Sequence, residues 1–186
     1  MRTLPAIICL TLNFLLGSVG VSASADLQKG VVAFMSGDYA TALREWKPLA
    51  EQGHAKSQYN LGVMYAKEDG VPQDYKTAVK WYRLAAEQGN ADAQYNLGIA
   101  YYKGQGVPQN HKTAVKWWKL AAKQGYVVAQ SGLKKIKSLL VSKGIDDCLF
   151  DEIKKVTGPE TKKIVEKHCR NKLEKKSLDW LLRKYD

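Results

Sequence analysis

The sequence is poor in the side chains on which catalysis and metal binding usually depend. Its 186 residues include three cysteines and three histidines, and none of them has a partner at the spacing of a metal site. His168, Cys169 and Cys148 together fall one ligand short of a tetrahedral zinc site. The sequence also lacks a phosphate-binding glycine loop and an activated-nucleophile motif. We therefore expect no catalytic residues, no metal and no cofactor.

Long apolar runs are equally scarce, and the single one lies between Leu4 and Leu16. It follows the basic Arg2 and precedes the small residues Ala23 to Ala25, which is the order of a secretory signal peptide. The run is shorter than the roughly 20 residues that span a bilayer. We expect residues 1–25 to be removed after Ala25, leaving a periplasmic or secreted protein. An uncleaved membrane anchor is the alternative.

Acidic residues are too few to balance the basic ones. Without residues 1–25 the chain keeps 28 basic and 18 acidic residues, of which 15 basic and nine acidic fall in residues 127–186. A basic surface attracts anionic partners. Export, the dominance of lysine over arginine and the lack of interleaved aromatic residues argue against nucleic acid. A solvated lysine-rich face is the simplest interpretation, and contact with an anionic envelope surface is the functional one.

The dominant positive feature is an internal repeat. Residues 55–90 and 91–126 align without a gap, and 23 of 36 positions are identical. Repeats of about 20–50 residues indicate an array of supersecondary units that bury their apolar faces against one another. A partial copy occupies residues 26–54 and a degenerate copy residues 127–142. We predict an all-α protein, a short α/α solenoid of helical hairpins.

Each full repeat predicts two helices. The first runs from about Ala55 to Ala66, and Gly70 and Pro72 end it. Asp74 caps the second helix, as Asn110 does in the next repeat.

Glycine inside the first helix, at Gly62 and again at Gly98, is unfavourable by about 1 kcal/mol relative to alanine. Its recurrence predicts a close approach by the second helix, through Ala85-Ala86 or the Trp81 ring. Ala78, Trp81 and Ala85 form the predicted buried stripe of that second helix.

These motifs resemble the Sel1-like repeats, which are relatives of the tetratricopeptide repeat. The resemblance rests on A-x-x-Q-Y-N-L-G-x-x-Y, G-V-P-Q and A-V-K-W-x-x-L-A-A-x-Q-G, and it extends from Asp38 to about Leu133. It implies a solenoid whose first helices line a concave face and a scaffold that holds other proteins together. Glu68 departs from the pattern, since Gly104 occupies this position in the next repeat, and it predicts a slightly different loop conformation.

The resemblance and the helical wheel predict the same partner-binding face. If Leu61, Gly62 and Tyr65 face the partner helix, another face of the first helices can bind a peptide through aromatic rings, amides and ammonium groups. Its residues are Tyr59, Asn60, Val63, Lys67, Tyr95, Asn96, Ile99, Tyr102 and Lys103. The alternative is that Tyr59 and Tyr95 pack between neighbouring repeats.

Residues 143–186 predict a basic helical cap. Asp146-Asp147 would cap a helix of residues 148–156, Gly158-Pro159 would turn the chain, and a second helix would run to about Lys175. Equal rise along two antiparallel helices places Cys148 level with Cys169, which predicts a disulfide in an exported protein. Ser177 would cap a last helix, which carries apolar residues and could fold back on the end of the array.

We therefore expect a monomeric, non-catalytic scaffold that binds a protein or peptide in the bacterial cell envelope. One alternative is a protein associated with peptidoglycan or with wall enzymes, with enzyme-like activity. Another is an adaptor that attaches to anionic envelope surfaces through its basic tail.

Overall fold

The computed structural model describes residues 24–153 and 159–185, and every regular element in these two ranges is an α-helix. The predicted signal segment lies outside them except for Ser24 and Ala25. Helix α1 occupies residues 24–35. The others are α2 (Tyr39–Glu51), α3 (Ala55–Lys67), α4 (Tyr75–Glu87), α5 (Ala91–Lys103), α6 (His111–Lys123), α7 (Val127–Ile153), α8 (Pro159–Glu174) and α9 (Leu178–Tyr185).

The chain divides into two compact units between Ala93 and Gln94. In the first unit α2 packs on α3 and α3 packs on α4. In the second unit α6 packs on α7, and α7 packs on both α8 and α9. Each unit thus buries its own apolar cluster, and the hairpins follow the repeat predicted from the sequence.

The predicted N-caps of the second helices are confirmed. The Asp74 carboxylate accepts hydrogen bonds from the backbone N–H groups of Lys76 and Thr77, at 2.9 and 3.2 Å. Asn110 accepts the N–H of Thr113 at 2.8 Å. These side chains satisfy donors that the first turn of a helix leaves unpaired. At the other end of α4, Gly89 has a φ of 91°, which glycine adopts without a steric penalty.

The glycines inside the first helices face a large ring, as predicted, but the ring differs from the one expected. A Cβ placed on Gly62 would lie 2.5 Å from Cδ1 of Tyr82, and Tyr82 is buried while Trp81 is half-buried. The buried stripe is therefore Ala78, Tyr82 and Ala85, and the assignment of Trp81 to it was wrong. Spacings of i+3 and i+4 both fit one helix face, and two adjacent aromatic residues make the sequence ambiguous.

The same contact occurs in the partial first copy and in the second full repeat. Gly30 lies against the Trp46 indole, and Gly98 lies against the indole of Trp118. The Trp118 N–H donates to the backbone oxygen of Tyr95 at 3.0 Å. In the first copy the Trp46 N–H donates to the oxygen of Leu27 at 3.2 Å. Each acceptor lies three residues before the glycine, so the partial copy uses the same packing as a complete repeat.

Helix α3 differs from the prediction at Tyr65, which was expected to face the partner helix. Met64 is fully buried, whereas Tyr65 is half-buried. Glu68 adopts the left-handed conformation, with a φ of 67°, close to the 72° of Gly104. The predicted difference in loop conformation is therefore absent. Glu68 instead adopts a backbone conformation that is unfavourable by roughly 1–2 kcal/mol for any residue with a Cβ.

The predicted break after Ser142 was wrong, because α7 continues without interruption to Ile153. Ile136, Leu140 and Val141 are buried, and Gly144 is buried one turn later. A glycine in a helix costs only about 1 kcal/mol, which the packing of a buried face outweighs. Asp146-Asp147 therefore lies inside a helix instead of capping one.

The last two helices agree with the sequence more closely. Helix α8 ends at Glu174, one residue before the predicted end. The Ser177 hydroxyl caps α9 by accepting the Trp180 N–H at 3.2 Å. Leu181 and Leu182 are buried in the same apolar cluster as Trp118, and Lys119 on α6 forms a 2.5 Å ion pair with Asp179. Helix α9 thus folds back on the end of the array, as predicted.

The cap of α4 should make stability depend on pH, whereas the cap of α6 should not. The 2.6 Å hydrogen bond from the Thr77 hydroxyl, followed by that from its backbone N–H, lowers the pKa of Asp74 below its ordinary value. Because the folded pKa is the lower one, the ionised cap stabilises the fold above the ordinary aspartate pKa. This contribution is lost as the pH falls through the folded value.

We predict that Asp74→Asn lowers the melting temperature at neutral pH and that the difference from the unmodified protein disappears in acid. Circular dichroism melts across the acidic range measure this difference. Asn110→Ala is the control, and its destabilisation should not change with pH. A constant difference for Asp74→Asn at every pH would show that the ionised carboxylate is not responsible.

Candidate partner-binding face

Two buried glutamines attach the first helix of each full repeat to the end of the second. The Gln88 amide donates to the side-chain oxygen of Gln58 at 2.8 Å, and Gln124 donates to Gln94 at 2.9 Å. The Gln58 amide also donates to the Ala50 oxygen at 3.0 Å. Both Gln58 and Gln94 are 4% exposed, so leaving either unpaired would cost roughly 1–3 kcal/mol. These contacts hold the first helices at a defined rotation.

The sequence analysis did not assign a role to these glutamines. The signal was present, since glutamine recurs at both positions, in the A-x-x-Q and Q-G parts of the repeat. A second pair of glutamines, one in each repeat, explains why glutamine recurs in the G-V-P-Q segment. Gln73 donates to the Ala66 oxygen at 3.0 Å, and Gln109 donates to the Tyr102 oxygen at 2.8 Å. Each satisfies a carbonyl that the end of the first helix leaves unpaired.

On α3 the predicted face is only partly accessible. Asn60 is 9% exposed and Tyr59 is half-buried. The centroids of the Tyr59 and Tyr82 rings lie 6.1 Å apart. The Lys56 ammonium lies 5.0 Å from the centroid of the Tyr59 ring. Val63 is half-buried, and Lys67 is exposed. The tyrosine therefore packs within its own repeat while it keeps part of its ring at the surface.

On α5 the equivalent residues follow the same pattern with more aromatic contacts. The Tyr95 ring lies 6.3 Å from Trp118 and 5.2 Å from Tyr126. Tyr102 lies 5.6 Å from Trp118, and Ile99 packs against the same cluster. Asn96 is half-buried and Lys103 is exposed.

The face therefore combines packing with exposure. Lys67 and Lys103 are its exposed members, Asn96 and Val63 are intermediate, and the tyrosines stabilise their own units. A substitution of Tyr95 would change stability as well as any binding, so it is unsuited as a test of binding alone. Asn96 and the two lysines are better suited because the clusters do not depend on them.

Within 24–153 and 159–185, no group of three histidine, cysteine or acidic side chains is arranged to hold a metal ion. No helix in these ranges is both long enough and apolar enough to cross a bilayer.

Comparison with known proteins identifies the hairpins. The Sel1 repeat family profile matches residues 55–90 and 91–126. These are the two repeats that contain the glutamine pairs and the glycine–ring contacts. These two segments are Sel1 repeats. Sel1-like repeats generally mediate protein–protein interactions, and proteins built from them are typically non-catalytic scaffolds.

Two solved structures show the same repeat architecture. A Sel1 repeat protein from Oxalobacter formigenes is 34% identical, with a TM-score of 0.56 over 62% of this chain and 46% of its own. A protective antigen present in uropathogenic Escherichia coli strains, displaying an SLR fold, is 35% identical. Its TM-score is 0.58 over 65% of this chain and 26% of its own. The chain thus spans less than half the length of either protein. No curated protein matches it.

Proposed function

We propose that this protein is a non-catalytic scaffold that binds a protein or peptide through the first helices of its Sel1 repeats. The observation that carries the proposal is the pair of complete repeats, in each of which a glutamine–glutamine hydrogen bond and a glycine–ring contact hold the two helices together. Each repeat, held in this way, presents the same residue positions, at equivalent places on α3 and on α5. Rigid presentation reduces the entropy lost when a partner binds.

The chemistry of the first-helix face supports a peptide partner. Lys67 and Lys103 occupy the same position in the two repeats and offer ammonium groups to carboxylates. Asn96 offers an amide that can pair with a peptide backbone, and the partly exposed tyrosine rings offer contact area with few rotatable bonds. The face has few apolar side chains fully exposed, which fits a partner that binds reversibly.

A site-specific crosslinking experiment tests this face. A photoreactive amino acid at Lys67 or Lys103 should yield discrete protein adducts in intact cells, and Asn96→Ala should reduce them without changing the melting temperature. The matched control sites are Lys76 and Lys80 on α4, which are also exposed. Equal labelling at the control sites, or none at either first helix, would contradict the proposed face.

We also propose that the protein is exported and that its residues 1–25 are removed. The support is the order of basic, apolar and small residues at the start of the sequence. Export would place the scaffold in an oxidising compartment, where a pair of cysteines forms a stable disulfide.

A disulfide between Cys148 and Cys169 is the matching proposal for the C-terminal helices. Cys169 is fully buried on α8, and α8 packs along α7, the helix that contains Cys148. A bridge closing this loop would stabilise the fold by roughly 3 kcal/mol in the chain-entropy account.

The number of reactive thiols in the denatured mature protein, determined by titration, tests for the bridge. We expect no reactive thiol in the unmodified protein and one in Cys148→Ser, because that change releases Cys169. Cys169→Ser should likewise release one thiol. Two reactive thiols in the unmodified mature protein would exclude the bridge.

A further inference from the structure

The excess positive charge is concentrated in one segment, residues 93–145. This segment contains nine lysines and no acidic residue. In contrast, residues 26–92 contain eight basic and nine acidic residues, and residues 146–186 contain eleven and nine. Eight of the nine lysines lie on α6 and the first part of α7. The assignment of a basic character to the whole C-terminal part was too broad.

Four of these lysines form a stripe on α6, which we call the lysine stripe. Its members are Lys112, Lys116, Lys119 and Lys123. Successive spacings of four, three and four residues place them on one face of a helix, over a length of about 16 Å. Lys119 pairs with Asp179 at 2.5 Å. The side chains of the other three are exposed, and none has an ion pair with the described part of the chain.

Three exposed aliphatic side chains lie toward one end of this stripe and form what we call the apolar tip. Leu120 is 43% exposed, Val127 is 70% exposed and Val128 is 50% exposed. A short turn joins the end of α6 to the start of α7, so Val127 and Val128 lie at the same end of the hairpin as Lys123. The lysine stripe therefore ends beside exposed apolar side chains.

Part of this surface also occurs in the preceding repeat, which has Lys76, Lys80, Arg83 and Leu84 at the positions of Lys112, Lys116, Lys119 and Leu120. The difference lies at Lys123, Val127 and Val128, which align with Glu87, Ala91 and Asp92 one period earlier in the sequence. Helices α4 and α6 nevertheless have the same length and bury equivalent alanines and valines. One period along the chain, a lysine and a valine thus replace two acidic residues and a valine replaces an alanine, all without a demand from packing.

We propose that the lysine stripe and the apolar tip dock this end of the second unit on an anionic lipid surface. Ammonium groups are attracted to the negative layer of headgroups, and exposed aliphatic side chains can enter the boundary between headgroups and acyl chains. An acidic protein segment would satisfy the charge but would supply no apolar phase for the valines. Lysine also suits a diffuse layer of charge, whereas arginine suits paired, planar acceptors.

Co-sedimentation with vesicles tests the proposal on the mature protein, residues 26–186. Binding should occur to phosphatidylcholine vesicles that contain phosphatidylglycerol, should be weak with phosphatidylcholine alone, and should decrease with salt. Lys112→Glu with Lys116→Glu should lower the partition coefficient by roughly tenfold or more, since each lysine near the surface contributes several-fold. The matched control is Lys76→Glu with Lys80→Glu, the same charge change at the equivalent positions of α4.

The unmodified protein and both double variants are compared without residues 1–25, so that this apolar segment does not contribute to vesicle binding. Val127→Ser with Val128→Ser tests the apolar tip and should weaken binding without changing its salt dependence. Equal losses in the α4 control, or equal binding to both vesicle types, would overturn the proposal. So would binding of poly-glutamate in preference to vesicles, which would assign the stripe to an acidic protein. Crosslinking at Lys67 and Lys103 is a separate readout, so this proposal can fail without the scaffold function failing.

Discussion

The repeats depend on the close approach of a large ring on the second helix to a glycine on the first. Tyr82 lies on Gly62 and Trp118 lies on Gly98, at positions that any Cβ would occupy. The absence of a side chain brings the two backbones near enough for the Trp118 indole to reach the Tyr95 carbonyl. A glycine that is unfavourable for an isolated helix thus becomes favourable once the hairpin forms.

Trp118 also explains how the array ends. The degenerate third copy has Lys134 where a repeat would place its glycine. Helix α7 instead brings Gly132 against the six-membered ring of Trp118, where a Cβ would lie 2.8 Å from Cε3. The indole is therefore enclosed between glycines on α5 and α7. The repeat pattern is lost in the sequence, but the same type of contact continues to the helix that closes the array, and α9 covers the cluster beyond it.

Local signals made the helices of the repeats predictable. Asp74, Asn110 and Ser177 cap the helices that the sequence assigned to them, because capping depends on a few neighbouring residues. The choice between Trp81 and Tyr82 was not predictable in the same way, since adjacent aromatic residues differ in direction by only about 100°. The continuity of α7 depends on tertiary burial of Ile136 and Leu140, which outweighs a local glycine.

The partner-binding face, too, was only partly predictable from the sequence. Its positions on α3 and α5 followed from the helical period, and Lys67 and Lys103 are exposed. The double role of Tyr59 and Tyr95, at the surface and against a neighbouring ring, could not be derived from spacing because it depends on side-chain directions in the packed unit. The glutamine pairs were also invisible to apolar periodicity, since Gln58 and Gln94 are polar side chains that are buried with hydrogen-bond partners.

The dependence of the fold on the glycine–ring contact is tested most directly by a double-mutant cycle between Gly98→Ala and Trp118→Leu. Urea denaturation would supply the four free energies of unfolding. We expect Gly98→Ala alone to destabilise the protein by about 1–3 kcal/mol through overpacking. In the Trp118→Leu background it should be neutral or stabilising, giving a coupling energy above about 1 kcal/mol. The same destabilisation in both backgrounds would contradict the account.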